Sequence, residues 1–305
     1  MAFSKDQGLA FLESNRSHIE AKVYEKKYKK ITYPEVIPVS MEAGEWAESI
    51  IYYYMDASGM AKWIGDKAFD VPMAESATNK VSIPVRMAGI GYQYSLEELG
   101  VAASLGIPLT DRKASSARKG SEEFIQKTAY LGDATVGFNG FLNHPNVPTA
   151  NVVDPGAGTE WVNKTPDQIL FDINDMFGDI NSSTGGNESA DTLALPIAQW
   201  NYIMGTPRSA NSDTTIGQYI ANNSPFLDSV NDIIKIEELA GIGAGSTDRM
   251  MAYTRDPDKV VMHLPMPFRF LPAQEKGLGF EVPGMTRVGG VEFRYTQSAS
   301  YRDGI

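Results

Sequence analysis

The chain has 305 residues, no cysteine, 42% hydrophobic content and a formal net charge of −11. That length suits one large domain or two intertwined ones, and the absence of cysteine excludes disulfides, Cys-ligated zinc and a thiol nucleophile. No run approaches the ~20 apolar residues that cross a bilayer. The first fifteen residues lack the apolar core of a signal peptide, and the acidic balance argues against a general nucleic-acid binder.

Charge is unevenly spread. Residues 1–33 carry seven basic side chains against four acidic ones, so a mildly basic arm precedes an acidic body. Leu9, Leu12, Arg16, Ile19 and Val23 recur at helical spacing and leave one narrow apolar seam. Such a seam needs a surface to lie on, in its own subunit or a neighbour, and a solvated charged helix is the alternative reading. Pro34 and Pro38 then break the pattern, and the chain to Ser40 reads as extended.

Two strand-like runs follow. Ile50 to Met55 is continuously apolar and aromatic, while Val81, Ile83, Val85 and Met87 alternate with smaller or polar residues. Ile90, Tyr92 and Tyr94 continue that alternation one residue out of phase across Gly89, which predicts a bulge or a bend. Pro84 cannot donate to a ladder, so its strand should be an edge. The two runs predict a long two-stranded arm whose tip lies between Gly65 and Asn79; an ordinary hairpin packed on its own domain is the alternative.

Thr110 or Asp111 can cap a helix that runs to Leu131, with Ala114, Ala117, Ser121, Phe124, Ile125 and Thr128 on one face and Gly132 as its stop. The Pro-, Asn- and Gly-rich stretch Asn143 to Lys164 reads as a boundary. Beyond it the pattern is mixed: a helix from Asp167 to Ile180, a short run at Leu193 to Ile197, helices near Gln199 to Met204 and Ile216 to Ala221, and strands at Met250 to Arg255 and Val260 to Leu264. Asp256-Pro257-Asp258-Lys259 suits a type I turn and predicts a hairpin between those two strands. A last strand covers Gly290 to Gln297, with Val291, Phe293 and Tyr295 on one face.

Catalytic patterns are missing. His18, His144 and His263 share no metal-ligand spacing, and no HExxH, P-loop, GxSxG or EF-hand motif occurs. Gly241-Ile242-Gly243-Ala244-Gly245-Ser246 lacks the Lys-Ser/Thr of a phosphate loop and reads as a turn. Asp228, Asp232, Glu237 and Glu238 read as a solvated face. Neither a catalytic residue, a cofactor nor a metal is expected.

The element order, together with Tyr94-Ser95-Leu96-Glu97-Glu98-Leu99, Gly132-Asp133 and Gly137-Phe138-Asn139-Gly140-Phe141-Leu142-Asn143-His144-Pro145-Asn146-Val147, resembles tailed-bacteriophage major capsid proteins of the Hong Kong 97 type. Within them it is most similar to the linocin- and encapsulin-related branch, whose members often end a similar turn in Leu-Leu-Asn-x-Pro-x-Val. The likeness spans nearly the whole chain in element order and residues 80–150 in motif.

The resemblance implies an α+β capsid fold. Residues 1–44 would form an N-arm crossing to neighbours, and 45–94 an extended hairpin loop lying over one. Residues 95–155 and 266–305 would form a peripheral domain with spine helix 111–131, and 156–265 an axial domain. It further implies a non-enzymatic shell subunit that assembles with itself into hexamers and pentamers around phage double-stranded DNA, without sequence-specific binding and without a membrane. Portal, scaffold and decoration proteins are the other implied partners, and the virion, built in the host cytoplasm, is the implied location.

The family often carries a scaffold domain before the arm, and with no room for one here, cleavage or a separate scaffold is implied. The interface candidates are Leu12, Ile19, Val23, Lys26 and Lys27 on the arm, and Lys67, Phe69, Val81, Ile83 and Arg86 on the loop. An encapsulin-like nanocompartment and a cytoplasmic α/β enzyme are the rival readings.

Overall fold

The computed structural model describes residues 29–58, 73, 75–95, 97–98, 109–156, 158–209 and 211–305. The chain divides into two units at Lys30–Ile31. In the second unit a five-stranded sheet forms the middle, in the order Ile233–Lys235, Thr192–Leu195, Arg249–Tyr253, Ala299–Asp303, Thr149–Asn151. Side chains alternate across a strand, and here the alternation feeds two separate cores. Leu193, Leu195, Met250 and Ala252 face one, with Ile169, Ile173, Phe177 and Ile220. Ala194, Met251, Tyr253 and Tyr301 face the other, with Ile125, Tyr130, Phe141 and Phe293.

The first core is closed by the helix Pro166–Ser183. It begins in a capping box in which the Thr165 side chain accepts from Gln168 N and the Gln168 side chain accepts from Thr165 N. The second core is closed by the long helix Leu109–Leu131. Its inward face is Ala117, Ser121, Ile125, Thr128 and Ala129, all buried. Phe124, expected on that face, is 46% exposed; it sits one residue off the stripe that Ile125 and Ser121 define.

The Gly-Phe-Asn-Gly-Phe-Leu-Asn stretch acts as the cap of the long helix. Phe141 N and Leu142 N donate to the carbonyls of Ala129 and Tyr130 at 2.8 and 3.0 Å, and the Asn143 amide donates to Leu131 O at 2.9 Å. These bonds satisfy the carbonyls that a helix leaves orphaned at its end. The return is tight enough to require glycine. Gly132 sits at φ 72°, and a Cβ at Gly140 would stand 2.4 Å from Tyr130 O.

Several expectations change. The turn at Asp256 forms, with Lys259 N donating to Asp256 O at 3.0 Å, but its flanking strands are not a hairpin. Arg249–Tyr253 has both edges filled, by 192–195 and 299–303, while Val260–His263 lies between Val39–Ser40 and Val291–Phe293. Strand 291–293 ends earlier than predicted, and Tyr295 is exposed. The stretch read as a boundary is threaded into the body, since Val147, Val152 and Trp161 are buried. Strand 299–303 lies in the five-stranded sheet between 249–253 and 149–151.

Residues 31–40, read with the arm, pack on their own chain. Tyr33, Val36 and Ile37 are buried, and Thr32 N donates to Gln126 Oε1 at 2.8 Å. Strand 39–40 pairs in parallel with 262–263.

Candidate assembly surfaces

The strands Ser49–Ser58 and Glu75–Pro84 pair in one antiparallel register from Ser49↔Pro84 to Ser58↔Glu75. No third strand joins them among the described residues. Pro84 closes the ladder, as its missing N–H requires. Cross-strand partners share a face, so Ile50, Tyr52 and Tyr54 lie with Ile83, Val81 and Asn79, and Ile51, Tyr53 and Met55 with Ser82, Lys80 and Thr78.

Only the root of the ribbon is seated. A Cβ at Gly289 would stand 2.9 Å from His263 Cβ and 3.2 Å from Ile50 Cδ1, so glycine there lets the ribbon lie close. Farther out both faces open: Tyr53 and Met55 on one face are 65% and 76% exposed, and Tyr54 on the other is 49% exposed.

Beyond Val85, strands Arg86–Gly89 and Tyr92–Ser95 run against Gly284–Val288 and Gly279–Val282. Ile90 and Gly284 exchange both backbone bonds at 3.1 Å, and the register is the same on either side of them. The predicted phase slip is therefore a bend without an inserted residue. It falls earlier than Gly89: Val85 is buried, while Met87, expected on the same face, is exposed.

At the base of the ribbon, the Trp46 ring is 65% exposed. The Arg287 guanidinium stands 5.7 Å from its centroid and donates to Glu45 O at 2.7 Å. Of the predicted interface residues, Val81 and Ile83 are half-buried opposite Tyr52 and Ile50, and Arg86 is exposed opposite Val288. Leu12, Ile19, Val23, Lys26, Lys27, Lys67 and Phe69 lie outside the described residues. Sequence reading missed Trp46, Tyr53, Met55 and Met87 as surface apolar groups. The signal was present in the uninterrupted run 50–55, because a two-stranded ribbon has no interior in which to hide such a run.

Buried ionisable groups serve the fold. Arg249 Nε and Nη2 donate to the Asp303 carboxylate at 2.6 and 2.9 Å, and Nη1 donates to Leu142 O at 2.9 Å. Burial works to raise the Asp303 carboxyl, but the Arg249 bonds and the Ala244 N–H outweigh it and hold the group below the usual carboxylate range. Asp172 shows the reverse balance. Its burial outweighs the bonds from Lys164 Nζ at 2.6 Å and Trp161 Nε1 at 3.3 Å, and the carboxyl lies above its ordinary value. His263 Nε2 lies 2.5 Å from Glu292 Oε2 inside the protein.

Among the described residues no group of three His, Cys, Asp or Glu could hold a metal ion, and no helix is long and apolar enough to cross a membrane.

Comparison with known proteins places this architecture. The structure is similar to the capsid of Myoviridae phage XM1, with a TM-score of 0.81 and 18% identity over 96% of this chain and 98% of that one. It is similar to the capsid of a native GTA particle, with a TM-score of 0.68 and 12% identity over 94% of each chain. It is also similar to a Mycobacterium phage Bobi structure, with a TM-score of 0.64 and 10% identity over 100% of both chains. These likenesses give the Hong Kong 97-type α+β fold. No curated protein matches the sequence. The family model for the major capsid protein matches residues 59–305. The chain belongs to the major capsid protein family and builds the icosahedral head shell of the virion.

Proposed function

We propose that the chain assembles into pentamers and hexamers around packaged double-stranded DNA, and that residues 45–94 lie over an adjacent copy. One observation carries this reading: ribbon 49–58/75–84 exposes apolar side chains on both faces. A lone two-stranded hairpin is marginal in water. Burying one large apolar side chain gains about 1.5–3 kcal/mol, so a neighbour that covers Ile51, Tyr53, Tyr54 and Met55 supplies what the ribbon lacks.

The arm residues Leu12, Ile19, Val23, Lys26 and Lys27 would add a second inter-subunit contact, between a basic segment and an acidic body. Lys67, Phe69, Val81, Ile83 and Arg86 would belong to the ribbon contact. Net charge of −11 suits a wall that DNA does not wet. A portal, a scaffold and decoration proteins complete the proposed partner set, and a non-enzymatic role is part of the same reading.

Negative-stain imaging of purified protein, followed by nuclease-resistant nucleic-acid assay of particles from phage-infected cells, tests it. Capsomers or closed shells containing DNA are the expected result. A stable monomer at every concentration and salt would sink the assembly reading, and shells holding protein cargo in place of DNA would favour a nanocompartment.

A further inference from the structure

Among the described residues, methionines fall into a buried group and an exposed group, with Met204 and Met285 half-buried between them. Met176, Met250, Met251 and Met262 fill the two cores, and Met266 is likewise at most 1% exposed. Met41, Met55, Met73 and Met87 are 56%, 76%, 81% and 64% exposed; Met55 lies on the ribbon, Met73 just before its second strand, Met87 on the strand that follows it and Met41 on the segment that leads to it. The α/β body from residue 158 onward exposes no methionine to that degree among the described residues; its exposed large apolar side chains are Val162, Phe171, Ile197, Leu278 and Tyr295. Thioethers are thus exposed on the ribbon and on the segments that lead into and out of it.

Methionine is unbranched, turns about three side-chain bonds and presents a polarizable sulfur, which lets one side chain fill differently shaped gaps. A shell that mixes pentamers with hexamers puts identical subunits in non-identical surroundings. A contact built from rigid branched side chains would fit one of those surroundings and strain in the other.

We propose that Met41, Met55, Met73 and Met87 form an adaptable lining through which the ribbon of one subunit docks on a second copy of this chain in more than one geometry, with Trp46 and Tyr53 as the rigid aromatic anchors. The proposal rests on the docking of the ribbon stated above and specifies what makes that docking tolerant. Its occupant is a second copy because the subunit builds a shell from itself and the ribbon leaves apolar groups uncovered on both faces at once. Oxidation to the sulfoxide turns each thioether into a polar group, so the same surface is sensitive to peroxide until a neighbour covers it.

Two measurements test this. The first is brief hydrogen peroxide treatment of dissociated subunits and of closed shells, read by peptide mass spectrometry. Oxidation at Met41, Met55, Met73 and Met87 should be on the order of tenfold slower in shells, while the core methionines stay slow in both. Equal rates at all four in shells and subunits overturn the lining, and leave the docking itself standing if Tyr53→Asp still blocks assembly. The second is the quadruple variant M41L/M55L/M73L/M87L, which keeps apolar volume and removes side-chain freedom. Capsomers that still form but close into shells with several-fold lower yield, or into particles of one altered size, are the expected result. Shells of unchanged yield and size would overturn the adaptability, since leucine would then serve as well. Failure of the native chain to form any shell would instead defeat the underlying assembly reading, and this inference with it.

Discussion

The five-stranded sheet and the two-stranded ribbon are built from similar apolar strands, yet they solve opposite problems. In the sheet, Leu193, Met250 and Met251 alternate between two cores, and every one is covered by this chain's own helices and loops. In the ribbon, Ile51, Tyr53 and Met55 alternate with Tyr52 and Tyr54 in the same way, and only the root is covered. The same period-two pattern thus yields stability in one place and unspent binding surface in the other. What differs is the number of layers that come to lie on the strand.

The comparison breaks most visibly where the body depends on a buried charge. Arg249→Met should strand the Asp303 carboxylate and the Leu142 carbonyl together, at a cost of about 3–5 kcal/mol. Urea denaturation should show it as a lower midpoint with little change in slope. The pH dependence has a defined sign. A carboxyl whose folded value is depressed contributes stability above its unfolded value and loses it as pH falls through the folded one. The native chain should therefore lose stability on acidification below the usual carboxylate range, and the variant should lose less there. An unchanged midpoint would mean the pair contributes nothing to the body.

A smaller effect sharpens the border between body and arm. Deleting residues 1–28 should leave the second unit's stability close to that of the full chain. Extending the deletion through Tyr33 removes a buried ring and the Thr32 bonds to Gln126 and Tyr130, for a further loss of about 1.5–3 kcal/mol. Paired thermal melts check this. Equal Tm values for the two truncations would return residues 31–33 to the arm.

Much of this was legible in the sequence, and the failures share a cause. The long helix, expected over 111–131, runs from Leu109 to Leu131, and the capping box at Thr165 begins the predicted helix near Asp167. These signals are local. The hairpin predicted between 250–255 and 260–264 failed because a type I turn fixes chain direction and leaves open which strands fill the edges. Phe124 and Met87 were placed on the wrong face because one residue of phase decides burial. Nothing in the local sequence marks Asp303 as buried, because its partner Arg249 lies far off in sequence. The ribbon could be read from residues 50–55 and 81–85, and the apolar run 50–55 carried the signal of its exposure, but Trp46 and Met87 outside that run carried none, since their exposure depends on what fails to pack there.

On the ribbon, polar substitution should separate folding from assembly. Tyr53→Asp adds a charge to an exposed position and should shift unfolding by no more than about 0.5 kcal/mol. Sedimentation should nevertheless show subunits or small oligomers in place of shells. Normal shells from this variant would remove Tyr53 from the contact.

The smallest expected effect is none at all, and it concerns covalent locking of the shell. A lysine on the ribbon could in principle join a carboxyl or amide group of a neighbour. Lys80 is exposed opposite Tyr53, whereas Lys62 and Lys67 lie outside the described residues. The acceptor side is poor. No asparagine follows Asn231 in the chain, which leaves the late strands without that partner. Asp258 is exposed to water, Asp256 is half-buried at the surface turn, and Asp303, though buried, is held as a carboxylate by Arg249 Nε and Nη2. An ionised carboxylate resists attack by an amine, and a solvated one has no apolar pocket in which to lose its charge. Exposed ion pairs of Lys80 contribute about 0–1 kcal/mol each. Lys80→Arg, which keeps the charge and removes the acylable amine, should leave shell yield and detergent sensitivity unchanged. Native and variant particles boiled in detergent with reductant should both run as a single band at the subunit mass. A ladder of oligomers from native particles that disappears in the variant would establish a covalent lock at Lys80 and refute a purely non-covalent shell.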